Sequence, residues 1–255
     1  MNEEGKKLLV SDDPFVGKIK IFDFNKKCYA ITSKGILELG SGKPLDGLSP
    51  NSSSKIVDAF VIQNSLFFVI KSGSMLYDIY SFNTKRTVAN RFQYENKDTY
   101  TTTSRGIYFS NFGDECVRIN PDATLDHFEM NGIFKLIEID DRVITGIQKE
   151  NKTFDVETGK AIMNSVVFDR VPDTDILITL SSKGPYRGLK EYKTNRILAP
   201  AIFDNIFYGS LIVTCELNNE NYAFNKSLKE FDQRSSQKLI SRVFTSINWE
   251  NRKWE

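Results

Sequence analysis

The chain of 255 residues is poor in the residue types that most chemistry depends on: one histidine, two tryptophans and three cysteines. With His127 as the sole imidazole, a Ser–His–Asp or Cys–His nucleophile has a single candidate base. His127 follows Leu125–Asp126 and precedes Phe128, and there it reads as a structural or surface side chain. One His and three scattered Cys cannot converge into a typical zinc site. Cys28, Cys116 and Cys215 are odd in number and widely spaced. They give no disulfide framework and read as small buried apolar residues in a reducing compartment. Neither sign of charge is in excess: 34 Lys and Arg oppose 33 Asp and Glu, a formal net charge of +1. That balance argues against nucleic acid or a membrane as the main ligand of the whole domain. No apolar run approaches the roughly 18 residues of a membrane span. The N-terminal stretch MNEEGKKLLVSDD lacks the apolar region of a secretory signal. The expected location is therefore the cytoplasm, or the nucleus in a eukaryote. The Asn-X-Ser/Thr triplets at Asn51, Asn151 and Asn225 are then chance matches.

Phe and Tyr are abundant, at 19 and 10 residues, and both suit half-buried pleated surfaces. They fall in a unit that returns six times. Its clearest copy is RVITGIQKENKTFDVETGKAI, Arg142 to Ile162. Two alternating strands flank a turn, and a polar turn leads to a third short apolar stretch. The other copies span Cys28–Leu48, Leu66–Val88, Gly106–Phe128, Ile176–Leu198 and Leu211–Phe231. The turn before the last strand falls near Ser41, Asn83, Asp122, Glu157, Lys193 and Asn225, at steps of 42, 39, 35, 36 and 32 residues. A further strand precedes each unit: Lys18–Phe24, Val57–Gln63, Thr99–Ser104, Phe134–Asp140, Val166–Pro172 and Ala201–Tyr208.

Four-stranded antiparallel sheets repeated at this period predict an all-β chain, a β-propeller of four-stranded blades. Six blades are expected, or seven if the two ends build an extra one. A solenoid fits less well, because the strict short period of a β-helix is missing. The blades are expected near 18–50, 56–91, 97–130, 132–165, 166–200 and 201–234 of a single domain, with 235–255 as closing strand and tail. An open sheet array leaves unpaired edges. Lys7–Asp12 or Leu239–Ile247 is therefore expected to complete the blade at the opposite end. Ser235–Phe244 is the best helical candidate, and helix is expected in under about a tenth of the chain.

KTFDVETGKAI, Lys152–Ile162, resembles the final strand and turn of a WD-repeat blade and is equally similar to quinoprotein-like blades. LYDIYSFNTKRTV (Leu76–Val88) and YKTNRIL (Tyr192–Leu198) echo it. Phe154 stands where the Trp of the Trp–Asp pair would be, and Asp155 follows. No Gly–His pair opens a blade, no Gly–Gly pair points to kelch repeats, and the sialidase-type Asp box is missing. The resemblance is to a divergent propeller outside an assigned subfamily. It implies a rigid, non-catalytic platform that binds other proteins on its top face and rim.

Other motifs carry less. Gly40–Pro44 fails as a phosphate loop, because Leu37 takes the place of the first Gly and Pro44 that of the Ser or Thr. The acidic clusters Asp12–Asp13, Asp140–Asp141 and Asp173–Asp175 lack EF-hand spacing and read as turns. Phe22–Asp23, Phe168–Asp169 and Phe203–Asp204 recur in three first strands, where an Asp bonding a neighbouring turn is expected. The C-terminal segment mixes Lys226, Lys229, Arg234, Lys238 and Arg242 with Phe231 and Phe244, but Glu230 and Asp232 dilute its charge.

The expected function is a non-catalytic protein-interaction scaffold, a subunit of a larger assembly, with no cofactor and no metal. The alternatives are a ligand- or glycan-binding propeller and a carboxylate-based hydrolase or lyase. Specific contacts are expected where the copies disagree. These are the long Gly40–Lys55 loop with Lys43, the basic turn with Lys193 and Arg196, and the tail with Trp249, Arg252 and Trp254. Two Trp beside an Arg have the composition of a binding hot spot.

Overall fold

The computed structural model describes residues 20–32, 35–48, 55–74, 76–92, 99–111, 115–182 and 184–246. They form six antiparallel sheets, each built from strands consecutive in sequence and without crossovers. The first contains β1 (Lys20–Phe24), β2 (Lys27–Thr32) and β3 (Gly35–Glu38). The second contains β4 (Ile56–Ile62), β5 (Ser65–Lys71), β6 (Tyr77–Ser81) and β7 (Arg86–Phe92). The third has β8 (Tyr100–Thr103), β9 (Gly106–Asn111), β10 (Glu115–Ile119) and β11 (Leu125–Glu129). The fourth has β12 (Ile133–Ile139), β13 (Arg142–Ile147), β14 (Lys152–Asp155) and β15 (Ala161–Met163). In the fifth lie β16 (Val166–Arg170), β17 (Ile176–Leu180), β18 (Arg187–Glu191) and β19 (Ile197–Phe203). The sixth comprises β20 (Asn205–Tyr208), β21 (Ile212–Leu217), β22 (Glu220–Asn225) and β23 (Glu230–Phe231). Six successive meanders of this kind are the blades of a divergent β-propeller. The first has three strands among the described residues; a single bridge, Leu37 to Pro44, stands where its fourth would lie.

Tight turns set the registers. Asn25–Lys26, Asp140–Asp141 and Asn218–Asn219 each place two successive residues at positive φ, between 49° and 63°. That is the two-residue hairpin geometry whose twist matches the strands, and Asn and Asp tolerate it best.

The chain forms two compact units, and the division runs through the fourth sheet. Sheets one to three lie in the first unit, and sheets five and six in the second. Within the first unit, strand alternation decides the packing. On β5, Leu66 and Phe68 point into one core with Phe24, Tyr29 and Ile31 of the first sheet. Phe67 and Val69 point the other way, into a core with Ile107, Phe109, Val117 and Ile119 of the third. All four β5 side chains are fully buried. A strand covered on both faces reads as a continuous apolar run, and Leu66–Ile70 is one. In the second unit, Ile176, Ile178 and Leu189 of the fifth sheet pack with Val213, Cys215, Tyr222 and Phe224 of the sixth.

Two expectations are corrected. Leu239–Ile247 does not form a closing strand: through Ser246 it lies in the helix α1 (Gln233–Ser246). Asp232 caps this helix, accepting the Ser235 amide proton at 2.7 Å. The Ser235 hydroxyl in turn accepts the Ala223 amide at 2.8 Å, and Asp232 N–H donates to Ala223 O at 3.0 Å. The helix start thus takes over the β22 edge that β23 leaves after two residues. Lys7–Asp12, the other closing candidate, lies outside the described residues.

The second correction concerns Ala201–Tyr208. This apolar run is divided between two sheets, β19 ending at Phe203 and β20 starting at Asn205. Asp204 holds the break. Its amide donates to Glu216 O at 2.8 Å, its carboxylate accepts the Asn218 amide at 2.7 Å, and its carbonyl accepts from Arg187. Asp204 therefore sits between sheets, after Phe203 at the end of β19, while Asp23 and Asp169 lie within first strands.

Candidate functional site

The sixth sheet carries two turns at one end. β20 runs toward Gly209, β21 returns from there, and β22 runs back to Asn225. In the β20–β21 turn, Gly209 N–H donates to Ile212 O at 2.9 Å. Lys226 N–H reaches Leu211 O at 3.3 Å and ties the two turns together. Asn225 Oδ1 shapes the second turn by accepting the amides of Ser227 and Leu228, at 2.9 and 3.0 Å.

Five large apolar side chains at this end face solvent. Leu211 is 75% exposed, Leu228 67%, Phe207 57%, Ile212 46% and Tyr208 44%. Phe207 and Tyr208 are consecutive, so they point to opposite faces of β20. Both are exposed, so among the described residues neither face of the strand end is fully covered. One step inward, Val213, the partner of Tyr208, is fully buried.

The basic turn singled out in the sequence lies beside these residues. Lys193 and Arg196 sit in the exposed connection between β18 and β19, and Ile197, 56% exposed, follows. The buried Glu191 carboxylate anchors this turn. It accepts from the Thr194 hydroxyl and the Lys229 ammonium, with Arg196 Nε at 3.6 Å. Lys229 belongs to the β22–β23 turn and also pairs with Asp175 at 2.9 Å. The Lys229 and Thr194 hydrogen bonds hold the Glu191 carboxyl below the usual carboxylate range. The hydrogen bonds to Glu191 and Asp175 raise the Lys229 pKa. One ammonium therefore joins the basic turn of the fifth sheet to the apolar end of the sixth.

The remaining sequence candidates fall elsewhere. Lys43 is exposed on the long loop of the first unit, and its carbonyl accepts the Glu38 amide at 2.8 Å. It borders an open cleft of about 480 Å³ lined by Phe24, Tyr29, Leu45, Phe82 and the charged Lys27, Glu38 and Asp46. Lys27 and Glu38 pair at 3.0 Å, and this hydrogen bond raises the Lys27 pKa and lowers that of Glu38. Trp249, Arg252 and Trp254 lie outside the described residues.

His127 is exposed on β11, with Nδ1 2.6 Å from Glu115 Oε1. Asp141 accepts the amide and hydroxyl of Ser104, at 2.7 and 2.6 Å, so this acidic turn bonds a neighbouring one. In the WD-like segment, Glu157 accepts from Arg105, Arg118 and the Tyr108 hydroxyl. Burial opposes the Arg118 charge, but hydrogen bonds to Tyr108 and Asp126 outweigh it and push the pKa up. Among the described residues, no group of three or more His, Cys, Asp or Glu is placed to hold a metal ion. No helix among them is long and apolar enough to cross a membrane.

The exposed hairpin was missed in the sequence. Its only signal is the run IFYGSLIV, Ile206–Val213, where apolar residues continue through a Gly–Ser turn instead of alternating with polar ones.

No protein-family model and no curated protein matches the sequence. Among solved structures, the chain is similar to Hsv2 from Kluyveromyces lactis, with TM-score 0.46 and 12% identity, covering 89% of this chain and 87% of that one. It is similar to BamB from Moraxella catarrhalis, with TM-score 0.36 and 12% identity over 81% of this chain and 66% of that one. A third similar structure is the dihydro-heme d1 dehydrogenase NirN, with TM-score 0.43 and 11% identity over 84% of this chain and 56% of that one.

Proposed function

We propose that this chain is a non-catalytic protein-interaction module, and that the apolar end of its sixth sheet, with the adjoining basic turn, is a docking face. The observation that carries this reading is the exposure of Phe207, Tyr208, Leu211, Ile212 and Leu228 together at one sheet end. Contiguous exposed apolar surface beside charged residues is the composition of an interaction site. Lys193 and Arg196 add positive charge, which selects a partner with acidic groups around an apolar centre. The test is quantitative cross-linking in the cell of origin with the wild-type chain and with the Phe207→Ser/Leu211→Asp double variant. A stoichiometric partner captured by the wild type and lost by the variant supports the reading. Equal capture by both, or no partner, overturns it.

A second reading rests on the first-unit cleft. Aromatic walls at Phe24, Tyr29 and Phe82 beside Lys27, Lys43 and Asp46 fit a small polar ligand with one flat face. A metabolite and glycan screen followed by thermal shift tests it. Stabilisation by a hit that Lys43→Ala abolishes supports it, and silence across the screen removes it.

A further inference from the structure

The last strand of each sheet exposes an edge, and five of the six edges carry a visible block. The β3 edge is met by the loop at Lys43–Leu45, whose groups bond Ile36 and Glu38. β7 has two register shifts, and Arg91 at positive φ bonds the Asp78 side chain. β15 is three residues long and irregular. β19 carries Pro200 and two register shifts. β23 is two residues long and passes into α1. Such bulges, prolines and covers prevent unwanted strand pairing.

β11 has none of these. It pairs with β10 in five uninterrupted steps, from Glu115–Glu129 to Ile119–Leu125. The bond from Asn120 N–H to Thr124 O fixes the alternation. Asp126 and Phe128 then exchange bonds with β10, while the amides and carbonyls of Leu125, His127 and Glu129 point away from the sheet. No described residue supplies these six outward groups with a hydrogen bond. The side chains add a charge preference. Glu129 stands directly opposite Glu115 in a non-hydrogen-bonded pair, where side chains are closest and like charges repel. The His127 ring nitrogen bonds Glu115.

From this geometry we infer that β11 accepts an extended segment of a partner protein by strand addition, and that the segment carries Lys or Arg opposite Glu129. Main-chain bonds to three alternate residues supply affinity, and the cation beside Glu129 supplies specificity. A segment with Lys or Arg opposite Glu129, an apolar residue opposite Phe128 and an apolar residue opposite the partly exposed Leu125 meets each position. The inference rests on the interaction-module reading, but it uses a different surface.

The test uses the full chain and a capped peptide with the core Lys-Val-Thr-Val-Leu, its Lys set opposite Glu129 in antiparallel pairing. Amide exchange by NMR is expected to show protection at Leu125, His127 and Glu129 upon binding. His127→Pro removes an outward amide without touching the β10 ladder, and Glu129→Lys reverses the charge. Each is expected to weaken binding about tenfold. Glu129→Lys leaves the backbone intact, so the test stands even if the proline variant does not fold. A peptide N-methylated at alternate amides should not bind. Failure of the peptide to bind, protection at other residues, or unchanged affinity for Glu129→Lys overturns the inference. The Phe207→Ser/Leu211→Asp variant should bind the peptide like wild type. Loss of its cellular partner alone therefore leaves the edge proposal intact, and failure of the peptide leaves the docking face intact.

Discussion

Glu191 and Lys229 illustrate how a single residue pair organises a surface. A carboxylate with its pKa depressed in the folded state stabilises the fold above its ordinary value of 4.5, and that contribution fades as pH falls through the folded pKa. Lys229, with its pKa raised, contributes fully below its ordinary 10.5 and loses that contribution as pH climbs past the folded value. The pair is therefore at full strength between these limits. In urea titrations at graded pH, Glu191→Gln should be less stable than wild type near neutrality and converge with it in acid. Parallel curves at all pH values would show that the pair contributes nothing. The cysteines give a second residue-level expectation. Burial pushes the Cys116 and Cys215 thiols up to about 12. The hydrogen bond to Asp23 raises the Cys28 thiol too, but Cys28 is only partly buried while the other two are buried. At about pH 8 the native chain should therefore be alkylated by iodoacetamide at Cys28 before either of them, as mass spectrometry would report.

At the scale of elements, close approach is the sharpest constraint. A Cβ on Gly146 of β13 would lie 2.6 Å from the Val167 carbonyl oxygen of β16. Backbone cannot yield as a flexible side chain does, so Gly146→Ala should cost about 2–3 kcal/mol, read from the chemical denaturation midpoint. The Asp232 cap makes a milder prediction: Asp232→Ala should cost about 1 kcal/mol and reduce the helical signal in circular dichroism. These elements also mark what the sequence could reveal. The start expected for the first strand, Lys18, lies outside the described residues, but β4, β8 and β12 were visible within one residue of their ends, because period-2 alternation and turn residues are local. The break at Asp204 was not, because Glu216, Asn218 and Arg187 impose it from distant positions. Nor was the choice of helix over strand after Phe231, which turns on Ser235 bonding β22. Lys193 and Arg196 stood out as a departure from the repeat. The exposed hairpin did not, because an apolar run gives no sign that its side chains face solvent.

For the whole molecule, the exposed end of the sixth sheet predicts a behaviour in solution. Leu211, Leu228 and Phe207 in water should drive weak self-association when no partner is present. Sedimentation velocity is expected to show concentration-dependent association for the wild type. The Phe207→Ser/Leu211→Asp variant should remain monomeric at the same concentrations with an unchanged Tm. A lower Tm would mean that these side chains support the fold instead.

The two-sided burial of β5 has a consequence in time. Its sheet can bury both faces only when the first and third sheets are present, and all three are neighbours in sequence. Order should therefore spread from sheet to sheet through short-range encounters, as in a one-dimensional array, without waiting for the chain ends to meet. On this view, β5 is a relay. Pulse-labelled amide exchange during refolding should find Leu66–Val69 protected among the earliest groups of the first unit.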